Sequence, residues 1–174
     1  MMLDRSRLAS HLQAFPKQTI PVASLRPAAV LIPLYQRSGR DYLLFTLRTA
    51  HLEHHAGEIS FPGGGYDHSD KDLSATALRE TEEELGIARS QVEVLGRLDD
   101  FYSVHGYHVV PFVGTIPLPD NLQHDPFEIA GIFEAPLDHF RNPSTHRIEN
   151  WQHLGRTHPV DFYKFEEHTI WGLT

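Results

Sequence analysis

Four glutamates stand within five positions in the stretch RETEEELG, Arg79–Gly86. Glu80, Glu83 and Glu84 follow i, i+3, i+4 spacing, which puts all three on one face of a helix, while Glu82 points elsewhere. Like charges at that spacing cost roughly 0.2–0.5 kcal/mol per pair. Carboxylates at a helix C-terminus also meet the negative end of the helix dipole. Such a turn is either a solvated acidic face or a site for a hard cation. Mg²⁺ or Mn²⁺ takes oxygen ligands and keeps positions open for water and substrate phosphate. Arg79 is placed to hold a neighbouring carboxylate in one rotamer. Ahead of the helix, Gly63, Gly64 and Gly65 let the backbone approach a ligand or a metal closely.

Those residues need a helix behind them. In DKDLSATALRETEEEL the positions Leu73, Ala77, Leu78, Thr81 and Leu85 form one face, with Leu78 and Leu85 expected on a sheet opposite the glutamates. Gly86 then stops the helix. Before it, AAVLIPLYQRSGRDYLLFTLR gives two apolar runs around Ser-Gly-Arg, a hairpin signal. After it, VEVLGRLDDFYS and YHVVPFVGTIP read as strands, and PFEIAGIFEAPLDHF as a strand turning into a short helix. THRIENW and VDFYKFEEHTIWG read as late strands. The opening MMLDRSRLASHLQAF is a short amphipathic helix without the apolar core of a signal peptide. PKQTIPVASLRP, with three prolines in twelve residues, is an extended lead-in. Strands on both sides of one central helix indicate a mixed α/β or α+β sandwich rather than a βαβ series.

Composition narrows the partners. A chain of 174 residues at 40% hydrophobic and 22% charged is expected to form one domain. A net charge of -8 argues against binding nucleic acid, though not against a small phosphorylated substrate with a divalent cation. No cysteine is present, so disulfides and thiolate sites are excluded. No apolar run reaches the length of a membrane span, and a cytoplasmic location is expected. HLEHH, His51–His55, lacks the partner spacing of a zinc site.

The stretch GGGYDHSDKDLSATALRETEEELGI resembles the Nudix box, G-x5-E-x7-R-E-U-x-E-E-x-G-U with U apolar. Counting from Gly65, the matches are Arg79, Glu80, Glu83, Glu84, Gly86 and Ile87, and Lys71 stands where the pattern has its first glutamate. Asp67 and Asp70 lie close by, either as replacements in a capping or charge role or as ordinary turn residues. Upstream, LLFTLRTAHLEHHAGEISFPGG, Leu43–Gly64, resembles the additional motif of the coenzyme A pyrophosphatase subgroup. YHVVPFVG, DPFEIAGIFEAPL and TIWGLT are also similar to that subgroup, so the likeness covers residues 27–174, with 1–26 as an N-terminal helix and lead-in.

The resemblance implies a Nudix αβα sandwich with a mixed sheet and a loop-helix-loop. Members continue into a C-terminal helix beyond the segment at which this sequence stops, so that helix is expected to be absent and one sheet face to be covered otherwise. The implied activity is Mg²⁺- or Mn²⁺-dependent hydrolysis of the diphosphate of coenzyme A, giving 3′,5′-ADP and 4′-phosphopantetheine. ADP-ribose, NADH or nucleoside triphosphates are alternative substrates, and a binding module without catalysis is an alternative of another class. By the same resemblance Gly64, Glu80, Glu83 and Glu84 hold the metal, and the proton acceptor is a box glutamate (Glu83 or Glu84) or Glu128. Arg48 contacts phosphate. His55 contacts a 3′-phosphate or steadies its loop. Glu58 braces Arg79 or meets the metal through water. Phe101, Tyr102 and Tyr107 sit on strands, where aromatics belong to the core more often than to a base-stacking site, and Trp151 and Trp171 are read as packing. The partner is a small molecule, neither nucleic acid nor membrane, and a homodimer is compatible with the sequence.

Overall fold

The computed structural model describes residues 2–19, 24–51, 57–103, 105–120, 122–153 and 155–174. Its centre is a hairpin. Strand β1 (Arg26–Arg37) turns at Ser38 and Gly39 into β2 (Arg40–Arg48). Both turn residues have positive φ, 50° and 75°. That is the twist-matched geometry of a two-residue hairpin, and it fixes the register Arg37↔Arg40 and Leu34↔Leu43.

β1 changes partner along its length. Ala28–Val30 pair with the short glycine strand β4 (Gly63–Gly65), and Leu34–Arg37 pair with β2. Pro33, which has no N–H to donate, stands between the two partners. Along its other edge β1 runs parallel to β7 (Tyr107–Thr115), with Arg26 opposite Tyr107. β3 (Ile59–Ser60) and β8 (Ile129–Pro136) pair with β2, while β5 (Glu93–Arg97) and β6 (Phe101–Tyr102) pair with β7. The result is one mixed eight-stranded sheet.

Helix α2 (Leu73–Leu85) lies on one face of this sheet. Asp72 caps its start by accepting from the Ala75 N–H at 2.9 Å. Gly86, at φ 68°, ends it and donates to the Glu82 carbonyl. Ala77 and Leu85 pack with Ala29, Leu31, Tyr35 and Leu44 of β1 and β2. Leu78 is not in that cluster, so the helix is turned relative to the face expected from its periodicity.

On the opposite face Leu34, Leu43, Phe45, Leu95 and Val113 are covered from two sides. Helix α1 (Arg5–Ala14) inserts Leu12. A separate antiparallel sheet of β9 (His146–His153), β10 (Arg156–Phe165) and β11 (His168–Trp171) inserts Ile170 and stacks Phe165 towards Phe133. An outer helix is therefore only part of the cover here. Trp171, half-buried, stacks on Phe162 and lies 5.0 Å from Trp151, the packing role expected of it, whereas Trp151 is 43% exposed. Phe101 and Tyr102 depart from the core reading: on two-residue β6 they are 44% and 54% exposed.

Candidate active site

The three clustered glutamates meet very different surroundings. The Glu84 side chain is 4% exposed, Glu80 16% and Glu83 55%. A one-face helical projection put all three away from the core. Instead the face tilts into the junction of β1 and β4. There the Gly63 N–H donates to Glu84 Oε2 at 3.2 Å, and Arg48 Nη1 approaches Oε1 at 3.8 Å. Burial pushes the Glu84 carboxyl up to about 8; Arg48 and the Gly63 N–H oppose this, while the charges of Glu80 and Glu128 add to it. Burial raises Glu80 as well, against the pull of Arg79, with Glu83 and Glu128 adding to the rise. Burial, ahead of neighbouring charge, is the main cause of both rises.

Two glycines make the approach feasible. A Cβ on Gly64 would stand 2.5 Å from the Glu80 carboxyl group, and one on Gly63 would stand 2.4 Å from the Ala29 carbonyl. Any larger residue at either position would separate the carboxylates from the strand.

Arg79 organises the helix side. Its Nε and Nη2 donate to Asp70 at 3.0 and 3.1 Å, and Nη2 also reaches the Gly65 carbonyl at 3.0 Å. Nη1 donates to Glu80 at 2.8 Å and Glu83 at 2.9 Å. A guanidinium carries five N–H bonds, and this set engages all of them. The bracing acid is thus Asp70, not Glu58 as the sequence suggested. Asp70 is also more than an ordinary turn residue. Its side chain is 2% exposed and also accepts from Thr76 Oγ1 at 2.9 Å and the Asp67 N–H at 3.1 Å. Arg79 foremost, then these donors, hold its carboxyl down at about 2 despite burial. An acidic residue beside Lys71 was the only sequence signal for it.

Arg48 forms the other wall. It ends β2, where a bulge against β8 follows Leu47. Its N–H donates to the Glu58 carbonyl at 2.9 Å, which places Glu58 beside this corner. The Thr46 hydroxyl, one strand pitch earlier, donates to the Ser60 carbonyl at 3.0 Å. Thr49 donates through its N–H to the Glu128 carbonyl and through its hydroxyl to that of Phe127. The Asp125 N–H reaches the Glu84 carbonyl at 3.3 Å. These bonds pin the 125–128 turn between α2 and β2. They leave the Glu128 side chain exposed, within electrostatic reach of Glu80 and Glu84. The Arg48 Nε is buried and has no hydrogen-bond partner among the described residues. His55 lies outside the described residues.

The donor set suits a hard divalent cation: carboxylate oxygens, raised proton affinities that a cation would reverse, and a glycine cradle under Glu80. Among the described residues no three acidic or imidazole side chains already form a metal cage, because Glu80 and Glu83 are turned onto Arg79.

The NUDIX domain profile matches residues 25–156, which include every residue of this corner. An uncharacterized Nudix hydrolase NudL of Photorhabdus laumondii is 44% identical over 149 residues, 86% of this chain and 79% of the relative. Its namesake in Escherichia coli O7:K1 is 42% identical over 162 residues, 86% of this chain and 77% of the relative. In fold the chain is similar to a Caenorhabditis elegans Ap4A hydrolase binary complex, with TM-score 0.54 and 21% identity, over 64% of this chain and 80% of that one. It is also similar to the NUDIX domain of Shewanella oneidensis NrtR complexed with ADP ribose, with TM-score 0.50 and 20% identity, over 79% and 85%.

Proposed function

Since this chain belongs to the Nudix hydrolase family, whose members cleave phosphoric anhydrides, we propose that its substrate is coenzyme A or a derivative, cut at the diphosphate into 3′,5′-ADP and 4′-phosphopantetheine or its acyl form. The observation that carries the reading is the Arg48–Glu84 corner. A buried carboxylate with raised proton affinity faces, at 3.8 Å, a partly exposed guanidinium whose Nε has no hydrogen-bond partner among the described residues. The first suits accepting a proton from water, and the second suits binding a phosphoryl oxygen. The coenzyme A assignment draws on the Leu43–Gly64 stretch, because its residues build that corner: Thr46 ties β2 to β3, and the Glu58 carbonyl holds the Arg48 N–H.

Glu80, Glu83, Glu84 and the Gly64 carbonyl would hold Mg²⁺ or Mn²⁺. Such an ion supplies charge neutralisation on the diphosphate and polarises its phosphorus–oxygen bonds. The chain's own groups do the rest. Arg79 fixes Glu80 and Glu83, Arg48 orients the anionic substrate, and Glu84 takes the proton of the attacking water, with Glu128 as the second carboxylate in electrostatic reach.

Product analysis by mass spectrometry tests this. The protein is given Mg²⁺ or Mn²⁺ with equal amounts of coenzyme A, ADP-ribose, NADH and a nucleoside triphosphate. Early appearance of 3′,5′-ADP with 4′-phosphopantetheine is the expected result. Preferential cleavage of another substrate would keep the site and discard the assignment, and no cleavage at all would point to a binding module.

A further inference from the structure

We propose that Asp70 is the positioning residue of this site, replacing the acid that Lys71 removes from the box and setting, through Arg79, where Glu80 and Glu83 stand. The inference rests on the metal reading above and adds a residue outside it. The geometry is a relay. Asp70 takes the Nε and Nη2 edge of the guanidinium. That leaves Nη1 as the one nitrogen pointing along α2, and it holds both glutamates. A planar guanidinium cannot turn without breaking both ends. Asp70 is fixed from three further directions: Thr76 Oγ1 of the first helical turn, the Asp67 N–H, and its own N–H donating to the Asp67 carbonyl. Lys71 is exposed, and Asp72 is occupied as the helix cap. Of the three consecutive residues ahead of α2, only Asp70 points its carboxylate at Arg79.

Without that carboxylate the guanidinium loses its anchor, and Glu80 and Glu83 lose the fixed positions that it gives them. Asp70→Asn therefore weakens Mn²⁺ binding, measured by calorimetry on substrate-free protein, by about 10–100-fold, the scale for residues that orient metal ligands. It lowers kcat while leaving the KM for substrate near its original value. An acid moved one place restores the relay: the double variant Asp70→Asn with Lys71→Glu recovers most of the Mn²⁺ affinity. A simple loss of packing would not be repaired by a charge at an exposed neighbour. Thermal melts confirm that each variant is folded.

Asp70→Asn binding Mn²⁺ as tightly as the unaltered protein would overturn the assignment. A double variant no better than Asp70→Asn would overturn it too, and so would a double variant that fails to fold if the single one does. Failure of the unaltered protein to bind Mn²⁺ would instead remove the metal reading itself, and the relay with it.

Discussion

Arg79 and Arg48 flank the same buried glutamates and are partnered in opposite ways. Arg79 has every N–H engaged: Asp70 on one edge, Glu80 and Glu83 on the other, and the Gly65 carbonyl between. Among the described residues Arg48 has a buried Nε with no hydrogen-bond partner, and its nearest carboxylate oxygen is 3.8 Å away. Leaving a buried donor unpaired costs about 1–3 kcal/mol. Arg79 is thus fully committed to holding the apparatus in place, and Arg48 is the less committed of the two.

The sharpest test of the corner is the carboxylate between them. Glu84→Gln should lower turnover by at least about 10²-fold at saturating Mn²⁺, the scale of losing a proton acceptor or a charge stabiliser. Its melting temperature near neutrality should hold, because a carboxyl pushed up to about 8 is already largely uncharged there. A near-normal rate would move the chemistry elsewhere.

The comparison itself is put at risk by truncating each arginine. Arg79→Ala strands Asp70 as a buried unpaired charge, at a cost of about 3–5 kcal/mol, so its melting point should fall by roughly 6–20 °C. Arg48→Ala should leave the melting point nearly unchanged and raise KM about tenfold with a smaller change in kcat, the pattern of lost substrate binding. Equal destabilisation by the two would erase the distinction between holder and binder, and a pure kcat loss at Arg48 would move it into the chemical step.

The smallest effect concerns acid. The Asp70 carboxyl titrates at about 2 in the folded chain against an ordinary 3.8, so its stabilisation is complete above the higher value and disappears as pH falls through the lower. The stability gap between the unaltered protein and Asp70→Asn, read from urea unfolding, should be constant near neutrality and close as pH drops from about 4 towards 2. A gap that persists at pH 2 would mean that Asp70 acts by packing alone.

Local pattern made much of this legible from sequence. Alternating apolar runs and a Ser-Gly turn gave the central hairpin, and helical periodicity with Gly86 gave α2 to its last residue. Glu80, Glu84, Gly64 and Arg48 do converge. What escaped depends on partners distant in sequence. Glu84 is buried because β4 and β1 meet over it, which helix periodicity cannot show. Ile59–Ser60 and Gly63–Gly65 are too short for strand periodicity and exist as strands only because β2 and β1 bind them. Asp70 looked like turn chemistry because turns favour aspartate, and only the folded position of Arg79 separates the two readings.

The parallel pairing of β1 with β7 has a kinetic consequence. Arg26 pairs with Tyr107, 81 positions later (107 less 26), and the glycine strand and α2 both lie inside the loop so closed. Contacts this distant in sequence pay their closure entropy before they return any stabilisation. The β1–β2 hairpin and α2 rest on partners close in sequence, whereas the β1–β7 ladder waits until β7 has been made. The turn that carries Glu128 lies beyond β7 in the chain, so the corner is assembled from parts made both before and after that closure.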